Sequence, residues 1–158
     1  MDLQDLEQLA NYIMEYTKNT LLSTGFFNPI GFVVRDDGRV TAVQIAPFER
    51  WQTSAMQDSF KLMAISLLPD AVLFAAASHL VMCEEEDVPL TPLEEDPRHL
   101  NALRVSGVCR AGEFTLLQSY TETDGHIVFL EEMEIRDSGN IRKRNDWLDG
   151  IFPRLSSN

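Results

Sequence analysis

Residues 98–136 hold two turn dipeptides, Ala111-Gly112 and Asp124-Gly125, each flanked by strand-like runs. A two-residue hairpin loop fixes which residues face one another. With these dipeptides as loops, Cys109 pairs with Phe114, Gly107 with Leu116, Val105 with Gln118 and Leu103 with Tyr120. The next hairpin pairs Tyr120 with Phe129, Gln118 with Glu131, Leu116 with Met133 and Phe114 with Ile135. One face of the expected three-stranded meander is then apolar except at Gln118 and Glu131. The opposite face carries Arg104, Arg110, Glu113, Thr115, Glu132 and Glu134 and is expected to be solvated. The two loops are placed independently, yet they generate the same apolar face, which supports both.

A carboxylate on an apolar face is costly unless hydrogen-bonded, and burial raises its pKa. Gln118 and Glu131 therefore form a candidate buried polar site, suited to a general acid/base or to ligand binding. Two plainer readings compete with it. A β-bulge would turn Glu131 outward, or the end of the sheet would leave it wet.

Upstream, Leu3, Leu6, Ala10, Ile13, Thr17 and Leu21 follow helical spacing, so residues 2–23 are expected to form an amphipathic helix. Asp2 suits its N-cap and Gly25 its stop. Residues 31–36 and 39–45 read as a hairpin around Asp37-Gly38. A second helix is expected over residues 50–68, with Met56, Phe60, Met63 and Leu67 on one core-facing stripe and Pro69 as its stop. Residues 71–83 are apolar almost throughout. Three consecutive alanines would also suit a helix, but the absence of a polar stripe favours a strand covered on both faces. The small residues would let a helix approach closely.

A linker rich in acid and proline follows, with Glu84, Glu85, Glu86, Asp87, Glu94, Glu95 and Asp96 interspersed with Pro89, Pro92 and Pro97. It is expected to be extended and irregular. The run Glu94-Glu95-Asp96-Pro97-Arg98, continued by Leu100-Asn101-Ala102-Leu103-Arg104-Val105-Ser106-Gly107, resembles a pattern in small uncharacterised bacterial and phage α/β proteins. There an apolar strand is followed by an acidic Asp-Pro-Arg segment and then another strand. The likeness spans roughly residues 71–121; it implies a fold and no activity, and it transfers no functional residue.

Charge separates the classes of partner. The net charge is −12. Residues 84–136 hold 13 acids against 4 bases, a net of −9, and residues 137–158 hold 3 acids against 4 bases, a net of +1. Such a balance argues against direct nucleic-acid binding, which needs a positive field, and is compatible with a basic protein partner. No apolar run is long enough for a membrane helix. The acidic start, Met1-Asp2-Leu3-Gln4-Asp5, is unlike a secretory signal. Two cysteines, Cys83 and Cys109, are expected to be buried thiols in a cytoplasmic setting.

Other chemistry is sparse. His79 and Cys83 share a strand face but lie too far apart to bind one zinc ion, even with His99, Cys109 or His126 considered as further ligands. His126, after a turn glycine, is expected to be exposed. No phosphate-loop, dinucleotide or nucleophile-elbow motif occurs, so neither a cofactor nor a metal is expected. In the tail, Arg142, Lys143 and Arg144 precede Trp147, Leu148, Ile151 and Phe152 at helical spacing, closed by Pro153. This segment is expected to dock as a short amphipathic helix on the chain's own sheet, with assembly onto another chain as the alternative.

The expectation is one α+β domain over residues 1–136, with an antiparallel-rich sheet of about six strands and two long helices against it, followed by the tail over 137–158. The leading functional expectation is a non-enzymatic accessory protein, such as an immunity or antagonist protein, binding a basic partner through residues 84–87 and 94–96. The competing classes are a small-ligand protein or enzyme using Gln118 and Glu131, and a structural subunit.

Overall fold

β3, the central apolar strand, organises the molecule. In the computed structural model, which describes residues 1–44 and 53–136, it spans Pro69–Leu80. Ala71, Leu73 and Ala75 point to one face, into a core with Leu6, Ala10, Ile13, Met14 and Leu21 of α1 (Leu3–Thr24). Val72 and Phe74 point to the other, into a smaller core with Phe60 and Ala64 of α2 (Thr53–Ser66). One helix therefore covers each face. Strand character over residues 71–80 is thus what the structure adopts, because a helix would leave no such two-sided burial.

The remaining strands are β1 (Ile30–Arg35), β2 (Val40–Gln44), β4 (Leu100–Cys109), β5 (Gly112–Thr123) and β6 (His126–Arg136). They form one six-stranded sheet in the order β2-β1-β3-β4-β5-β6, with every neighbouring pair antiparallel. The fold is α+β. The tail, residues 137–158, and the expected start of the second helix at residues 50–52 lie outside the described residues.

Local chemistry accounts for the element ends. The Asp2 carboxylate accepts from the Asp5 N–H at 2.8 Å, and Gly25, at φ 78°, donates to the Leu21 carbonyl. The first hairpin closes through an Arg35–Arg39 hydrogen bond, with Gly38 at φ 80°. Close approach explains one glycine further: a Cβ at Gly107 would lie 2.9 Å from Leu6 and 3.1 Å from Leu73, so bare backbone lets α1 settle on the sheet. Lys18 of α1 reaches the far side and stands 5.1 Å above the Phe129 ring of β6.

The meander differs from its expected register in two instructive ways. Cys109 pairs with Gly112, Gly107 with Phe114 and Val105 with Leu116, so the β4–β5 loop is Arg110-Ala111. A primed turn on Ala111-Gly112 would force Ala111 into the left-handed region. Moving the loop back by one residue leaves the unusual backbone to Gly112, at φ 150°. The pairing slides by two residues, which preserves the faces: Leu103, Val105, Cys109, Phe114 and Leu116 are all buried beneath α1.

The second turn is where it was expected, with Asp124 at φ 52° and Gly125 at φ 76°, and Tyr120 pairs with Phe129. A bulge then follows. Beyond it Gln118 pairs with Glu132 and Leu116 with Glu134, and the faces of β6 exchange. Glu131 is the extra residue and its side chain is exposed. Of the readings of Glu131, the structure therefore adopts the β-bulge, and the inward carboxylate that the unbroken register predicts is corrected to an outward one. Glu132 and Glu134, expected on the opposite face, lie at the register of Gln118 and Leu116. The bulge backbone is held by its neighbours: the Glu131 N–H donates to Ser119 Oγ at 3.1 Å, and its carbonyl accepts from Gln118 Nε2 at 3.2 Å. Ser119 and Gln118 are both buried. Ser119→Ala is expected to cost about 1 kcal/mol, the usual worth of such a hydrogen bond. Glu131→Gln is expected to stay within about 0.5 kcal/mol of the wild type, as at other surface positions. Urea midpoints of the two variants check this ordering.

Candidate protein-interaction site

The seven acids of the linker lie in the long loop that joins β3 to its antiparallel neighbour β4, at the sheet end that also carries the Asp124-Gly125 turn. The loop is more ordered than the composition suggests. It contains two one-turn 3₁₀ helices, Glu85–Asp87 and Leu93–Glu95. Prolines restrict the connecting chain, and each turn is closed by a backbone bond, Asp87 N–H to Glu84 and Glu95 N–H to Pro92.

Asp96 and Arg98 tie these turns together. The Asp96 carboxylate is buried and receives three donors from Arg98: the backbone N–H at 2.8 Å, Nε at 3.0 Å and Nη2 at 2.8 Å. The same Nη2 donates to the Asp87 carbonyl at 3.0 Å, bridging eleven residues. The two-pronged guanidinium contact holds both oxygens in one plane. Hydrogen bonds from the Arg98 side chain, then from its backbone, lower the Asp96 pKa to about 2. The Asp96 carbonyl accepts from the His99 N–H and lies 2.7 Å from His99 Nδ1, and the His99 ring meets His79 edge-on at 5.3 Å.

Of the expected interaction residues, Asp96 is thus turned inward as an anchor. Glu84, Glu86, Asp87, Glu94 and Glu95 are exposed. Apolar side chains stand among them. Met82 and Val88 are more than half exposed, Leu93 is 39% exposed, and Leu90 is wholly clear of the protein. These four were not singled out from the sequence, because a short apolar residue between acids and prolines carries no periodicity. Their exposure, and the Asp-Pro-Arg clasp that fixes it, emerge only from the fold.

The other sequence candidates do not converge on this surface. Gln118 is buried and meets Glu131 through the latter's backbone rather than its carboxylate. An open cavity of about 300 Å³ lies elsewhere, between α1 and the β1–β2 edge, lined in part by Tyr16, Thr20, Thr24, Phe27, Ile30 and Gln44. Cys109 is buried as expected, whereas Cys83 is exposed, because β3 ends at Leu80 before reaching it. His126 is exposed. Among the described residues no group of three His, Cys, Asp or Glu side chains is placed to hold a metal ion, and no helix is long and apolar enough to cross a membrane.

No family model matches the chain, and neither the curated proteins nor the solved structures contain a significant relative.

The lowered pKa of Asp96 has a definite sign. A carboxylate whose folded pKa lies below its unfolded value contributes stability that is fully present above about pH 4. That contribution is lost as the pH falls towards 2. Asp96→Asn is expected to lower stability at neutral pH and to flatten the acid limb of the stability curve. Melting temperatures of both proteins between pH 6 and pH 2 check it, with the gap narrowing on the acid side.

Proposed function

We propose that this protein is a non-enzymatic binding protein that engages a basic face of another protein through its β3–β4 loop. The observation that carries the reading is the combination at one site of exposed acids, exposed apolar side chains and a clasp that holds them still. Protein interfaces join an apolar centre to a polar rim, and Leu90, Val88 and Met82 among Glu84, Glu86, Asp87 and Glu95 have that composition. Prior ordering by Arg98 and the prolines reduces the entropy lost on binding. The acidic field favours a basic partner by speeding encounter and repelling acidic competitors. A toxin-neutralising immunity protein or an antagonist of a nucleic-acid-binding protein would be examples. An exposed Cys83 and a buried Cys109, both unpaired, fit a reducing cytoplasm.

Affinity capture from the native host, with wild-type protein and two variants as bait, tests the reading. The wild type is expected to retain a basic protein that elutes as salt rises, because screening weakens charge steering. Neutralising Glu84, Glu86, Asp87 and Glu95 together is expected to slow association. Leu90→Ala is expected to weaken binding by about tenfold, the scale of a single well-packed anchor. A partner retained equally by all three baits, or indifferent to salt, contradicts the proposal.

A further inference from the structure

The bulge at Glu131 has a second effect, on the face of the sheet away from α1. Before the bulge, Val128 and Leu130 lie on that face, because their neighbours Ile127 and Phe129 pack against the α1 core. After it the parity of β6 reverses, and Met133 and Ile135 come to the same face, opposite Leu117 and Thr115 of β5. A strand with alternating side chains thereby presents four apolar residues in one column. Val128 and Leu130 are 51% and 46% exposed, and Met133, Ile135 and Leu117 are half-buried. α2, the described helix on this face, packs against β3, while β5 and β6 lie beyond it at the edge of the sheet. Inward from the column the face turns polar, with Arg104 Nε donating to Ser106 Oγ at 2.8 Å and Thr115 Oγ1 to the same oxygen.

We propose that the chain's own C-terminal segment covers this column, with Trp147, Leu148, Ile151 and Phe152 seated on Val128, Leu130 and Met133. Continuity argues for it. β6 ends at Arg136, one residue past Ile135, and 22 residues follow. The column spans about 23 Å along β6. Residues 137–146 can reach up to about 33 Å, so the apolar quartet can lie anywhere along the column. The quartet matches in chemistry, since its spacing puts four large apolar side chains on one side of a helix. Charge favours this occupant over a second copy. Two copies meeting through this face would bring together two chains of net charge −12. The tail, of net charge +1, instead brings Arg142, Lys143 and Arg144 to a strand region of net charge −9.

Trp147 reports the contact directly in the full-length chain once the second tryptophan is removed by Trp51→Phe. Its emission is expected to be blue-shifted and shielded from acrylamide at all protein concentrations. Leu130→Lys, at a residue already half exposed, is expected to move the emission to the red, restore quenching and lower the melting temperature by several degrees, with far-UV circular dichroism retained. Leu130→Ala is expected to do so partially, which keeps the test informative if the lysine variant fails to fold. A Trp147 that is solvent-exposed in the parent overturns the proposal. So does shielding that disappears on dilution together with a dimer, or shielding unaffected by either substitution.

Discussion

A strand that is apolar on both sides must be covered on both, and β3 imposes that requirement on everything around it. Leu73 and Val72 are adjacent in sequence and both fully buried, in different cores. At about 1.5–3 kcal/mol for each large apolar side chain, exposing either face would remove a large part of the net stability of a domain of this size. α1 and α2 therefore sit on opposite faces, and Gly107 and Ala75 leave α1 room to come close. β1 and β4 flank β3 on either side and carry the sheet outward to its two edges, β2 and β6.

Much of this was legible in the sequence. The helical stripe of α1, its Asp2 cap and Gly25 stop, the two-sided strand and the Asp124-Gly125 turn all follow from local chemistry, and the structure contains each. The Ala111-Gly112 loop illustrates a limit. Dipeptide identity alone does not say which residue will absorb the positive φ, and the chain gives it to Gly112 outside the loop. The apolar faces still coincide, because a slip of two residues leaves side-chain parity intact. The bulge is a different limit. It changes parity, it depends on the Ser119 hydroxyl and the Gln118 amide meeting the Glu131 backbone, and nothing in the spacing of β6 marks it. The unbroken register therefore puts Glu131 inward, and the bulge weighed as its alternative turns it outward in the fold.

The acidic β3–β4 loop shows how composition can mislead in the other direction. Seven acids and three prolines within 14 residues suggest a loosely solvated linker. One pair, Asp96 with Arg98, converts it into an ordered element, because a buried carboxylate with three donors and a guanidinium shared with the Asp87 carbonyl couple its two ends. A surface of acids and apolar side chains held in fixed relation differs functionally from a flexible acidic tract. The first can discriminate between partners by shape, whereas the second attracts any basic surface.

A selective binding surface requires this ordering, and amide hydrogen exchange resolved along the β3–β4 loop tests it most directly. In the wild type the N–H groups of Asp87, Glu95, Asp96, Arg98 and His99, each a donor in the clasped loop, should exchange more slowly than those of Glu84 and Glu86. Arg98→Lys, which keeps the charge and loses the planar fork, should remove that protection and leave the amides shared by β3 and β4 unchanged. Exchange at the unprotected rate in the wild-type β3–β4 loop, indistinguishable from that in the variant, would contradict an ordered loop.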